Sequence, residues 1–585
     1  AETISHLNGT FGVAGNILTS YASATVESTV LGLAGAVDYY RIGNTTEAYV
    51  GPGATLRQSS GLGTWTATLG TGDTVSFDKR VAVVATTTTE TIDVAGNYGI
   101  FSGTGANGGS GDAVGGSFAD IGRQSSTVAA IGAGATVTAL ELEVAATTSD
   151  RIFVLAPTSG KAAGDFAANG MVALVGIDNR TLASISNQAT IDVTSVAVAA
   201  HQFVSLFALT GAVTYGGGNA VGISVAALDT AGVTRAYVGD NATDLSDNRL
   251  GGGYGAGLIT TRSLDVEAVT DGRMTVASIA AAVSDPNASK LSFFKAAAAE
   301  GKSQAAWTRS GAGSGLSLTA AGSAAVATTT LGTSAWIDGA VVVGKDSGTV
   351  TTDVAASNAT IAELGSGSAA LNLTGASSPL SGALSGAVSI GIFDNSTDAR
   401  ISDSTITGAG DTTVQALAGG RQTVVGVSIA AARANSGAAA ISGAIGLITD
   451  SVTAQIERSA IAGISGASSG NDVLVNAYRT TDIGIGGGAA YAGAQAGLGM
   501  AFTYVSIADP SGRDAVAALV TDSSIGAMDR LSVVARTSSR IASGAIAGGG
   551  GPNSNGLAGA FVINDVSPTT RAAVTDGAGA PARIA

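Results

Sequence analysis

Cysteine is absent from the 585 residues, which removes disulfides, thiolate metal sites and cysteine nucleophiles together. Charge is scarce, at 12% of residues, and so are aromatic side chains, at 5%. A chain this uncharged, with a mean hydropathy of +0.36, is not a disordered acidic polymer, because disorder goes with low hydrophobicity and dense charge. There are only two histidines, His6 and His201, so a Ser-His-Asp triad would have to use one of them. The simpler reading leaves His201 on a surface or turn, directly after a strand. Long apolar runs are missing as well. The stretch from Thr423 to Ile448 is interrupted by Arg433, Asn435 and many small residues, short of the roughly 18 apolar residues a helical membrane span needs. Basic stripes are also missing, and the formal charge of -15 argues against a nucleic-acid partner. The opening residues Ala1 to Ser5 lack the basic and apolar regions of a signal peptide. The expectation is a removed leader or a piece of a longer chain.

Length suggests about four domains, yet no Pro-rich, Gly/Ser-only or charge-rich linker divides the chain, so one continuous body over residues 1–585 is expected. Its apolar content is largely Ala and Val, which suits a thin repetitive core. Two motifs alternate. The first is Thr or another polar residue, Ala, any residue, and an aliphatic, followed by a turn. It occurs as Thr46-Glu47-Ala48-Tyr49-Val50, Thr181 to Ile185, Thr234 to Val238, Thr333 to Ile337, Thr397 to Ile401, Thr453 to Ile456 and Thr570 to Val574, with weaker copies at Val128 and Val516. The second is aliphatic, any, aliphatic, any, Ala, ending at Ala85, Ala146, Ala200, Ala268, Ala320, Ala477 and Ala535, with diverged copies ending at Gly375 and Ala416. From Ala85 to Ala535 is 450 residues in eight steps, about 56 per module.

Period-two alternation places Leu264, Val266 and Ala268 on one face and Asp265 and Glu267 on the other. A module of four to six short strands excludes helical solenoids. The predicted fold is all-β, a right-handed parallel β-solenoid (β-helix) with roughly two coils per module and some 20 coils, a rod about 100 Å long. Two departures are expected: a helical insertion over 285–310, around Phe293 and Phe294, and an extended loop or hairpin over 50–79, around Trp65 and Phe77.

Carboxylates gather at Asp394, Asp398 and Asp403, at Asp240, Asp244 and Asp247, and at Asp509 and Asp514. Paired carboxylates could cleave a glycosidic bond and three or more oxygens could hold calcium, but Asp also favours turns through its own hydrogen bonds. Gly108 to Asp112 has its Asp one place too early for the calcium nonapeptide, and Gly216 to Gly218, Gly251 to Gly253, Gly486 to Gly488 and Gly548 to Gly551 lack the Lys-Ser/Thr of a phosphate loop. They read as turns. Asn-x-Ser/Thr triplets stand at Asn8, Asn44, Asn179, Asn241, Asn287, Asn358, Asn372 and Asn395. Tyr49, Tyr237 and Trp336 occupy one place in the first motif. The expectation is that they point inward and fill wider coils, the alternative being an outward ladder for sugar stacking. No catalytic, cofactor-binding or metal-binding residue is assigned.

The alternation of Thr-x-Ala-x-Ile/Val with Leu-x-Val-x-Ala, joined by Gly/Ala-rich strands, resembles the repeat region of large bacterial filamentous adhesins and exoproteins of the leukotoxin-like, β-strand-repeat type. The resemblance implies a structural or adhesive stalk of a secreted or cell-surface fibre, not an enzyme. It implies surface polysaccharide, a host or neighbouring cell, or further copies of the chain as partners. Two other readings stand beside it, a self-assembling surface-layer or filament subunit and a polysaccharide-degrading β-helix enzyme.

Overall fold

Strands usually stop after about five or six residues, but a strand stacked between identical neighbours can run on, and here the long strands reach about 21 residues. The computed structural model describes residues 2–5, 18–23, 26–27, 30–58, 65–68, 74–77, 80–96, 106–107, 111–162, 166–239, 256–284, 317–373, 381–432, 437–464, 471–493, 495–507, 515–526, 528–551, 555–575 and 583–584. They form a parallel β-solenoid of two large sheets, of 20 and 13 strands, called here the front and back sheets. There is no α-helix among the described residues. Among the described residues the one antiparallel pair joins Trp65–Thr68 to Thr74–Phe77, a hairpin inside the 50–79 segment. The 285–310 segment lies outside the described residues.

One turn of the solenoid runs along Asp112–Ile131 in the back sheet, crosses the short strand Thr136–Thr138, and returns along Glu141–Lys161 in the front sheet. Phe166–Ser186 then lies beside Asp112–Ile131, with Ala113 next to Ala167 and Ile131 next to Ile185. From 113 to 167 is 54 residues, so a module is one turn, not two. Each turn has two long strands and a short one in place of four to six short ones. With nine strands along the main path of the back sheet at about 4.8 Å each, the stack is roughly 40 Å high, and 21-residue strands make it about 70 Å broad. It is a slab, and the expected 100 Å rod is corrected accordingly.

The second motif stacks as Ala85, Ala146, Ala200, Ala268, Ala356, Ala416, Ala477 and Ala535. Ala320 is not in this column. It stands in the back sheet beside Val221, and Thr352, Val354 and Ala356 take its place. The 450 residues from 85 to 535 are therefore seven turns of about 64, and the excess over 54 lies partly in segments such as 285–316, outside the described residues. Gly375 is outside them too. All nine first-motif copies stack in the back sheet, with Ala48, Ala129, Ala183, Ala236 and Ala335 side by side.

The cross-section has two lobes. In the three-sided lobe, Ala129 and Ile131 of the back strand, Val137 of the short strand, and Leu142, Val144 and Ala146 of the front strand meet in one core that repeats up the stack. In the two-layer lobe the sheets lie face to face. A second aliphatic layer with Ile121, Ile152, Val154 and Ile177 comes first, then a layer of Ala, Ser, Thr and Gly. There the backbones nearly touch. A Cβ on Gly222 would stand 2.7 Å from the Ala281 carbonyl oxygen, and one on Gly426 2.5 Å from that of Gly443. Gly486 to Gly488 and Gly548 to Gly550 lie within strands, not in turns, and a Cβ on Gly487 would stand 3.0 Å from the Phe502 carbonyl oxygen.

Between the lobes the hydroxyls of facing threonines form a zigzag. Thr87 bonds Thr46 at 2.8 Å, Thr127 bonds Thr87 at 2.7 Å, and Thr148 bonds Thr127 and Thr181 at 2.9 and 2.7 Å. Gln202 takes one place and accepts from Thr234, after which Thr270 and Thr333 continue. A hydroxyl can donate once and accept as well, so one Thr per strand joins both sheets across successive turns.

Candidate functional site

Where the back strands pass from the two-layer lobe into the three-sided one, their outer face holds a groove of about 470 Å³ spanning four turns. Alternation decides its lining. Thr127, Thr181 and Thr234 point inward to the hydroxyl zigzag, which turns Gln124, Ser126, Asp178, Arg180 and Arg235 outward. Gln124 donates to Asp178 at 3.5 Å.

Behind the groove the strand is held by a buried polar cluster. Arg123, whose side chain is 1% exposed, pairs with Asp150 at 2.6 Å and donates to Ser125 at 2.9 Å and to Thr89. Asn179 donates to the other Asp150 oxygen at 2.7 Å. Burial raises the Asp150 carboxyl, with Arg123 and Asn179 opposing. A neighbouring pair, Asp38 and Asp93, is also buried. Burial first, and then the hydrogen bond and charge of Asp38, push Asp93 up to about 8.

Beyond Arg235, outside the groove lining, stand Tyr237, Trp336 and Arg400, neighbours across three turns. Ala236 and Ala335 belong to the three-sided core, so Tyr237 and Trp336, one residue on, point away from it. The expected inward orientation is corrected. Neither is an open stacking platform, being 3% and 6% exposed and packed with Val128 and Leu182. Tyr49 alone of the three is open, at 53%. The two rings lie 5.8 Å apart, and the guanidiniums of Arg235 and Arg400 sit over Trp336 at 5.6 and 5.2 Å, where the ring face attracts a cation. Asp398 adjoins Arg400. Burial raises its carboxyl and Arg400 counters that. Arg180, Arg235 and Arg400 thus concentrate positive charge on one surface of an acidic chain.

The remaining candidates separate. Asp403 sits in a left-handed turn position, φ 48°, held by Arg458 at 2.8 and 2.7 Å, which lowers its carboxyl. Asp394 is exposed at a strand break. Asp112 accepts from the Phe166 backbone at 2.9 Å. His201 is outward on the front sheet, 3.4 Å from Glu267. Asn179, Asn358 and Asn372 are at most 4% exposed and cannot carry a glycan in the folded chain. His6, Asn8, Asp240, Asn241, Asp244, Asp247, Gly251 to Gly253, Asn287, Asp509 and Asp514 lie outside the described residues. No cluster of three or more His or acidic residues among the described ones could hold a metal. An internal cavity of about 20 Å³, walled by Asn358, Thr397, Gln422, Asp450 and Thr481, matches one water in size and polarity and has no room for a substrate.

Sequence reasoning found the motif that carries Tyr237 and Trp336 but missed Gln124, Asp178 and Arg180. The available signal was their even spacing from the zigzag threonines. No protein-family model, curated protein or solved structure matches the chain.

Proposed function

We propose that the chain is a structural and adhesive segment of a bacterial fibre, secreted or cell-surface, whose elbow groove binds saccharide. The groove supports this reading. Its volume is within the roughly 300 to 1,000 Å³ of small-ligand sites, and its lining of amide, carboxylate and guanidinium groups is the chemistry that orients hydroxyls. Arg180 and Arg235 add the fork geometry that engages a carboxylate with two parallel hydrogen bonds, so the favoured ligand is a uronate-bearing polysaccharide. Among the described residues Asp178 is the one acidic side chain lining the groove, whereas glycosidic hydrolysis uses two, and this favours binding over turnover. The resemblance of the repeats to filamentous adhesins points the same way. Titration with polygalacturonate and with neutral dextran tests it. Polygalacturonate should bind and dextran should not, and Arg180→Ala with Arg235→Ala should weaken binding at least about tenfold. Equal binding of both polymers, or no effect of the double variant, would refute the assignment.

A further inference from the structure

Both outer faces of the two-layer lobe carry apolar residues, with Ile279, Val427 and Ile429 exposed on the front sheet, and the bulkier side chains stand on the back sheet. Three columns run up it, starting at Leu33, Gly35 and Val37 of the strand Leu31–Val50 and ending at Leu557, Gly559 and Phe561 of Asn555–Val566. Followed through the register, every position in all three is Leu, Val, Ile, Met, Phe, Ala or Gly. The large side chains are on the outside because the sheets approach too closely for them inside. Ile223 is 50% exposed and Leu384 47%. Three columns about 6.6 Å apart on a stack roughly 40 Å high make a face on the order of 800 Å², larger than the few hundred Å² that single chains commonly leave open.

We propose that this face packs against the same face of a second copy of the chain. Its area equals the roughly 800 Å² per partner of a standard stable interface. Its relief is self-complementary. Along the first column large and small side chains alternate as Ala168, Val221, Ala320, Leu384, Ala439 and Leu498, and in the second Ile223, Ile441 and Met500 rise from a bed that includes Gly170, Gly322 and Gly386. Along the first column from Ala168 to Leu498, ridges one strand wide separated by troughs one strand wide let a copy displaced by one strand interdigitate. A lipid surface fits less well. Interfacial binders carry Lys and Arg beside the apolar face. Here the border has Arg41 tied to Asp120 at 2.7 Å, together with Asp229. This contact is lateral and is separate from the saccharide groove.

Sedimentation equilibrium across the micromolar range tests it. The wild type should pass from monomer to dimer, and Ile223→Lys with Ile441→Lys should weaken dimerisation at least about a hundredfold. Ile279→Lys with Val427→Lys, on the outer face of the front sheet, should leave it unchanged. A second measurement does not depend on those variants. A Cβ on Gly322 or Gly367 meets nothing within 4 Å, and the native chain has no thiol. Maleimide labelling of Gly322→Cys should slow at least about tenfold on going from dilute to concentrated protein, while that of Gly367→Cys should not. A wild type that stays monomeric, labelling of Gly322→Cys that ignores concentration, or flotation of monomer with phosphatidylcholine vesicles would each overturn the proposal.

Discussion

Ala268 shows how little room a residue has at the stacking positions. It is fully buried, with Ala200 on one side and Ala356 on the other. Ala268→Leu should cost about 1 to 3 kcal/mol by overpacking. Glu267→Leu, on the outer face, should cost little, because Glu267 repels the Asp265 and Asp353 carboxylates as well as facing His201. Urea unfolding of the two variants checks this, and a larger loss in Glu267→Leu would reverse the strand phase. Thr148 is as constrained by bonding as Ala268 is by space. Thr148→Val would remove the bonds to Thr127, which keeps Thr87, and to Thr181, and should cost about 1 to 3 kcal/mol.

The buried carboxyls give a pH dependence whose sign follows from their shifts. Burial raises Asp450 to about 6, and burial with Asp38 raises Asp93 to about 8. A raised carboxyl holds its proton more tightly folded than unfolded, so its stabilising contribution is complete below about pH 4 and is lost as pH rises through the folded value. Thermal stability should therefore fall from about pH 4 upward, less steeply above pH 6, and level off above pH 8. Asp93→Asn should remove the fall between pH 6 and pH 8. Asp403, lowered by Arg458, acts only in the acid range, where its contribution is lost as pH falls. A melting temperature constant from pH 5 to 9 would contradict these assignments.

At the scale of the element, alternation has opposite meanings in the two lobes. In Ser263–Ser284 the larger aliphatics Leu264 and Val266 face the core, as amphipathic patterning predicts. In Thr405–Ala432 the outward residues are Val425, Val427 and Ile429, and the inward ones beyond Val424 include Ser428 and Ala430. The inner space takes mainly small side chains, with Met171 and Tyr491 as larger members, and buried hydroxyls pair across it, as Ser278 does with Ser224 at 3.0 Å. Gly222→Val should push the sheets apart there. Hydrogen exchange should show lost protection in Asn219–Gly239 and its neighbours and intact protection in Asp472–Ala492, because each turn contacts mainly the turns beside it. Uniform loss along the stack would contradict that one-dimensional coupling.

On the scale of the whole molecule, the slab sets the observable dimensions. Small-angle scattering from the monomeric Ile223→Lys, Ile441→Lys variant should fit a flattened body about 70 Å broad and about 40 Å high, and a 100 Å rod would restore two coils per module. The sequence alone determined that the chain is a repeating β-structure: Thr-x-Ala-x-Ile and Leu-x-Val-x-Ala recur at turn-length intervals, and the phase of Leu264, Val266 and Ala268 follows from period-two patterning. Tertiary structure decided the rest. The number of strands in a turn depends on where the chain bends, and Gly486 to Gly488 look the same in a turn as within a strand. Arg180 and Arg235 become one groove only because residues one turn apart in sequence are stacked about 4.8 Å apart in space, a distance that no local pattern encodes.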